Sequence, residues 1–310
     1  MNIGNIFRKY GTLIGLIFIF ISFSVVRPHI FPVPRNLINI IQQISLLAII
    51  GTGATIVMVI TEFDLSIAAV ASFGGVFTAQ LMVKGMGVVP AITVVLLLSF
   101  LLGLLNGFLV AKLKIKSFIA TLATMTIITG LTFWYSEGTI IFSGIPEKFL
   151  IIGQQNIGPF PIPIFVMFGI LIIFYLLLTQ TVFGRNLYAI GGNIEASLYS
   201  GVRVVSNKII AFGLSSLLGS LTGIILASRL GSAHPTAGGG FLLTSYAAVF
   251  LGMTLFKDGE PNIIGTFIGV LIIGVLANGL TILNVQSYFQ DMLTGAIIIL
   301  ALLFKGVARE

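Results

Sequence analysis

Solidly apolar runs of about 20 residues, separated by short polar intervals, fill almost the whole chain, and that is the length a helix needs to cross a hydrocarbon layer about 30 Å thick. The pattern predicts ten membrane segments, at about 12–30, 40–61, 66–84, 89–111, 117–136, 162–181, 209–228, 241–256, 263–283 and 289–304. The in/out alternation of a membrane β-barrel is absent, so the expected fold class is an all-α integral membrane protein, one domain over residues 1–310. Segments three and eight are rich in Gly, Ala and Ser, which predicts helices that are buried among others, broken or only partly spanning. The first run follows a basic flank, MNIGNIFRKYG, with no small-residue cleavage site after it, and reads as a spanning helix rather than a removed signal peptide.

One long polar interval interrupts this pattern, GRNLYAIGGNIEASLYSGVRVVSNK at 184–208. It cannot lie in lipid and must protrude from the bundle. Its core, EASLYSGV, reads as a short amphipathic helix closed by Gly201, with Arg185 and Lys208 as membrane-flanking anchors. A second interval, 137–161, carries Gly and Pro and is expected to dip back toward the membrane surface.

Composition agrees: 57% hydrophobic residues, 8% charged and a mean hydropathy of +1.14 lie far outside the range of soluble domains. With no cysteine, disulfides and thiolate chemistry are excluded. A net charge of +7 would suggest nucleic acid in a soluble protein, but here the basic residues stand between apolar runs and report orientation. With the amino terminus inside, eleven of the sixteen Lys and Arg fall on the cytoplasmic side, among them Arg8, Lys112, Arg185, Lys208, Lys257, Lys305 and Arg309. Arg27, Arg35, Lys84, Lys148 and Arg229 fall outside. The bias predicts both termini and the 184–208 loop in the cytoplasm.

Two pairs of fragments recur in the same order. Ser66-Ile67-Ala68-Ala69-Val70 is echoed by Ser245-Tyr246-Ala247-Ala248-Val249, and the Gly103 to Gly107 stretch, with Asn106, by Gly274 to Gly279, with Asn278. A duplication then relates halves at about 40–136 and 209–304. Five helices separate equivalent positions, so the second copy is inverted relative to the first, as in transporters whose pathway lies between the copies.

Ionisable groups inside the apolar runs are nearly lacking. Asp64, in EFDLSIAAV, has the residue type and position to cap the third segment, with Ser66 as a second candidate; the other reading is a substrate or gating role. Asp291 lies near the start of the tenth segment. His29 and His234 stand next to Pro without companion carboxylates and make no metal site. No G-x-x-x-x-G-K-S/T loop is present to cradle nucleotide phosphates, so active transport would draw its energy from another polypeptide. Neutral polar residues, Gln42, Gln43, Ser45, Thr52, Gln80, Asn106, Asn278 and Gln290, either hold helices together or line a pathway suited to a neutral, hydroxylated solute.

Five separated stretches resemble one family over nearly the whole chain: EFDLSIAAV at 62–70, KSFIATLATMTIITGLTFWYSEG at 116–138, GRNLYAIGGNIEASLYSGVRVVSNKI at 184–209, SAHPTAGGGFLLTSYAAVFLGMTL at 232–255 and GTFIGVLIIGVLANGLTILNVQSYFQ at 265–290. They are similar to the membrane permease subunits of bacterial ABC importers of the ribose, xylose and galactoside branch. The resemblance implies a type II importer-like fold in the cytoplasmic (inner) membrane, a second permease chain, ABC ATP-binding subunits carrying ATP and Mg, and an extracytoplasmic binding protein that delivers a sugar. It implies no cofactor on this chain, no enzymatic role and no nucleic acid. The family's cytoplasmic Gly-Gly-Asn-x-x-Ala-small-x-x-Ser-Gly motif, which docks on the ATP-binding subunit, is matched from Gly191 on, so Gly192, Asn193, Glu195, Ala196, Ser197, Ser200 and Gly201 are the expected coupling residues. Gln43, Asp64, Ser66, Asn106, Ser245 and Asn278 are the expected pathway residues. Two departures stand out: Gly240 to Ala248 lacks two acids that relatives often carry, and the usual Gly-rich turn becomes Gly252 to Pro261. Related permeases handle nucleosides, other pentoses and autoinducer-2, so the solute stays open at this point. Two other readings also stay open, a carrier or facilitator that needs no ATPase and a membrane-embedded enzyme.

Overall fold

The computed structural model describes residues 3–253, 259–290, 292–296 and 299. Asp291, Lys257, Lys305, Arg309, part of the Gly252 to Pro261 turn and half of the tenth predicted segment lie outside them.

The chain forms α1 (Ile3–Val26), α2 (Pro34–Val59), α3 (Ile67–Val83), α4 (Val88–Ala111), α5 (Ser117–Tyr135), α6 (Glu147–Gln154), a two-residue-per-strand hairpin of β1 (Asn156–Ile157) and β2 (Phe160–Pro161), α7 (Ile162–Gln180), α8 (Val182–Gly192), α9 (Ile194–Tyr199), α10 (Val204–Leu230), α11 (Phe241–Met253) and α12 (Ile263–Ile282). Six of these, α2, α4, α5, α7, α10 and α12, are long and apolar enough to cross a membrane. Thr12–Val26, α3 and α11 are shorter apolar helices. The result is an all-α membrane bundle, with an apolar helix at each of the first nine predicted segments.

Helix ends follow local chemistry. Pro34, whose fixed φ suits the first helical turn, starts α2 about six residues before the apolar run itself begins. Asn262 caps α12 by accepting a hydrogen bond from Gly265 N at 2.7 Å, and Gly231, at φ 65, ends α10 in the left-handed region. Helices α3 and α11, with 17 and 13 residues, reach about 25 and 20 Å, short of the hydrocarbon thickness, and both are largely buried.

Burial sorts the helices into a centre and a lipid face. In the most apolar 18 residues of α2, 83% are buried, against 22% in α4, whose outer side shows Leu97, Leu101 and Leu105. Helix α10 is the other central element and packs on α4, α3 and α2. Helices α11 and α12 pack on each other and on α2. Small residues permit this closeness: a Cβ at Gly103 of α4 would lie 2.3 Å from the Phe212 carbonyl of α10.

The 137–161 interval does turn back into the bundle. Phe149 of α6 is fully buried, and Ser228 of α10 donates to the Phe149 carbonyl at 2.6 Å while accepting from Gly153 N at 2.8 Å. Ile141 and Ala233 exchange backbone hydrogen bonds, tying this interval to the 231–240 loop.

Candidate functional site

Three places hold the polar chemistry of the molecule. The first is the interval between α7 and α10, which folds as two helices where the sequence predicted one. Thr181 caps α8, accepting from Gly184 N, and Leu187 and Ile190 are fully buried against the bundle. Their spacing with Phe183 (i, i+4, i+7) is the signal that could have found this helix. Tyr188 donates to the Pro261 carbonyl at 2.9 Å; burial, then the nearby Glu260 charge, push its phenol up to about 12.

Helix α9 stands off from the bundle. Asn193 caps it, accepting from Ala196 N at 3.0 Å, and Gly201, at φ 79, closes it. Ser197 is buried and donates to the Asn193 carbonyl; Ser200 donates to that of Ala196. Gly192, Asn193, Glu195, Ala196, Ser200 and Gly201 are exposed. So are Leu198 and Tyr199, the latter 92% exposed, which leaves an uncovered apolar surface on a six-residue helix. Arg185 is exposed, as a flanking anchor would be, but Lys208 is not: it is buried and its Nζ lies 2.5 Å from Glu62 Oε1. A lysine beside an apolar run ordinarily snorkels to the interface, and here a carboxylate 146 residues away holds it inside instead.

The second place is the turn between α2 and α3. Asp64 is fully buried; its Oδ1 accepts from Ser66 N at 3.0 Å and from Ser66 Oγ at 2.5 Å, and its Oδ2 from Ser215 Oγ at 2.8 Å. Ser66 occupies the cap position of α3 yet makes no capping bond with its own side chain, so Asp64 is the residue that receives an end N–H. Asn106 Nδ2 donates to Ser66 Oγ at 2.8 Å, bringing α4 into the same cluster. The Tyr246 hydroxyl of α11 accepts from Asp64 N at 2.7 Å and donates to the Asp64 carbonyl at 3.0 Å. Ser215 is not among the residues the sequence points to, Tyr246 enters there only as part of the repeated Ser245 to Val249 fragment, and nothing local marks either as a partner of Asp64.

The third place is a cavity of about 550 Å³ at the end of the bundle opposite α9. Its walls come from α2 (Gln43, Ile44), α10 (Leu230), the 231–240 loop (His234), α11 (Thr244) and α12 (Ala277). Of the six expected pathway residues, Gln43 lines it. Asp64, Ser66 and Asn106 meet in the cluster above. Ser245 donates within its own helix to the Leu242 carbonyl, and Asn278 forms a reciprocal amide pair with Asn36 at 3.0 and 3.1 Å.

The open cavity, largely apolar and walled in part by the membrane-length helices α2, α10 and α12, suits passage rather than covalent chemistry, and the class this fold defines is an integral membrane permease. The family profile described as "Branched-chain amino acid transport system / permease component" matches residues 36–302, and the chain belongs to that family. It is therefore a transport component rather than an enzyme. Ribose import permease protein RbsC of Bacillus subtilis is 39% identical over 304 residues, 98% of this chain and 94% of that protein. L-arabinose transport system permease protein AraH of Escherichia coli is 38% identical over 310 residues, 100% of this chain and 94% of that one. D-allose transport system permease protein AlsC of E. coli is 34% identical over 301 residues, 97% and 92% of the two chains. No solved structure matches the chain.

Proposed function

We propose that this chain is the membrane permease of an ATP-driven importer and passes a neutral monosaccharide. The observation that carries the reading is full-length similarity to three permeases named for ribose, L-arabinose and D-allose. A cavity whose polar side chains are few, Gln43, His234, Thr236 and Thr244, and include no carboxylate, lysine or arginine, fits a hydroxylated solute that must enter and leave without being held tightly. Asp64, Ser66 and Asn106 then stand between this vestibule and the α9 end, while Ser245 and Asn278 sit on two of its wall helices.

The permease is one domain with repeat halves at about 40–136 and 209–304. Its cross-packing supports the duplication: α3 and α4 lie on α10, the first helix of the second half, while α11 and α12 lie on α2, the first helix of the first. It resides in the bacterial cytoplasmic membrane with both termini inside, as the Lys and Arg bias indicates, so the cavity faces outward and α9 faces the ATP-binding subunits. Gly192, Asn193, Glu195, Ala196, Ser197, Ser200 and Gly201 form the docking element. ATP and Mg belong to the partner subunits; a second permease chain and a binding protein complete the assembly.

Reconstitution with the ATP-binding subunit and the binding protein tests the reading. Uptake of labelled ribose, arabinose or allose is expected only with both and with ATP, and uptake by the purified chain alone overturns it. Ala196→Trp is expected to keep normal membrane insertion and to lower uptake per ATP by about tenfold. Full uptake in that variant removes α9 from the coupling role.

A further inference from the structure

The turn between α2 and α3, residues 60–66, joins regions that are otherwise far apart in function. Helix α2 stops at Val59, and Thr61 then adopts φ 58, a left-handed conformation that a β-branched residue takes only when its surroundings enforce it. The closure of α2 enforces it at Thr61, and other helices hold the residues that follow. Phe63 N and Leu65 N donate to the Ser117 and Thr121 hydroxyls of α5 at 3.3 and 3.1 Å, and both backbone groups of Asp64 are engaged by Tyr246 of α11. Thr61 N and Glu62 N still close the end of α2, donating to the Met58 and Val57 carbonyls at 3.0 and 3.2 Å, whereas residues 63–65 hang from side chains of α5 and α11, and a segment held in that way moves with the elements that hold it.

Two contacts reach the same turn from the α8–α10 side. Gly191 of α8 lies so close to α2 that a Cβ there would overlap the Val59 carbonyl. One turn into α10, directly after α9, Lys208 pairs with Glu62, with side chains 8% and 20% exposed. At that burial the pair is little screened, and moving one partner leaves the other charge costly to strand. On the far side, Tyr246 belongs to α11, whose Phe241 and Thr244 line the cavity.

We infer that Glu62 and Lys208 form a latch that carries displacement of α9 into the 60–66 turn, and through Tyr246 into the α11 wall of the cavity. They are positioning residues, touching neither solute nor nucleotide. This inference rests on the reading of α9 as the docking helix. Charge is the essential property, because the pair must pull as well as push across an interface where α10 and the turn share few other polar contacts.

The chain has no cysteine, so Thr244→Cys introduces a single thiol on the cavity wall. In the assembled transporter, the labelling rate of that thiol by a membrane-impermeant maleimide is expected to change on adding ATP. Glu62→Lys and Lys208→Glu are each expected to reduce that change about tenfold, with the ATP-binding subunit still copurifying, and the double charge swap to restore it. A purely structural pair would alter yield or melting without moving this ATP response. Single variants that keep the wild-type response, or a swap no better than either single, overturn the latch. Should a single variant fail to insert, Glu62→Gln takes the same test, and a full response there overturns it as well. Ala196→Trp separates the two readings: a normal response in that variant, with loss in Glu62→Lys, sinks the docking helix and keeps the latch.

Discussion

The α4/α10 and α12/α2 interfaces carry the two echoed stretches, Gly103 to Gly107 and Gly274 to Gly279, and meet their neighbours differently. At α4/α10, Cβ atoms on Gly103 and Gly107 would meet backbone, the Phe212 carbonyl at 2.3 Å and Ile209 Cα at 2.5 Å. At α12/α2, a Cβ on Gly274 would meet the Ile44 side chain, and one on Gly279 would meet the Phe23 ring of α1. The first interface is closed main chain on main chain. The second is spaced by side chains, and the cavity opens beside it, with Ile44, Ile273, Gly274 and Ala277 in its walls. A repeated motif therefore does not repeat its function: one copy makes a fixed seam and the other makes room.

The largest effect expected from this contrast is on stability. Gly103→Ala places a methyl group against backbone that cannot yield, for a loss of about 3 kcal/mol. Gly274→Ala meets the branch methyl of Ile44, side chain rather than backbone, for a smaller loss of about 2 kcal/mol. Thermal melting in detergent compares them, and equal losses would mean that the two interfaces are equally tight.

Much of this was legible in the sequence. Apolar run length placed the first nine apolar helices, six of them membrane-length, because a bilayer imposes it, and Asn193 with Gly201 marked α9, because capping and left-handed closure are local chemistry. Helix α8 was hidden because Arg185, Asn186 and two glycines at its end outweighed the three apolar residues on its buried face. The Asp64 cluster was half legible. A carboxylate before a helix is readable, but Tyr246 lies 182 residues away and Ser215 lies 151, and no pattern within one segment reports such a meeting. Lys208 was misread for the same reason, since its partner is as remote as its position is ordinary.

A middle-sized effect concerns the cavity. Ala277→Trp fills the side-chain-spaced interface from the α12 wall without touching the main-chain seam. Uptake is expected to fall about tenfold, which corresponds to about 1.4 kcal/mol on the transport barrier, with the melting temperature nearly unchanged. Unimpaired uptake would take the cavity out of the pathway and leave the comparison a matter of packing alone.

The smallest effect distinguishes how each interface uses its asparagine. Asn106 donates across to Ser66 of α3, and its Oδ1 has no partner among the described residues, so its amide serves the Asp64 cluster rather than the α4/α10 seam. Asn278 instead pairs reciprocally with Asn36, two hydrogen bonds across the very interface that side chains hold apart. An open interface needs such a clamp, because it lacks the close packing that would otherwise fix its register. A double-mutant cycle of Asn36→Ala and Asn278→Ala is expected to give a coupling of about 0.6 kcal/mol in melting experiments. Zero coupling would show that the looser interface is held by its apolar contacts alone, and the two asparagines would then differ in partner but not in purpose.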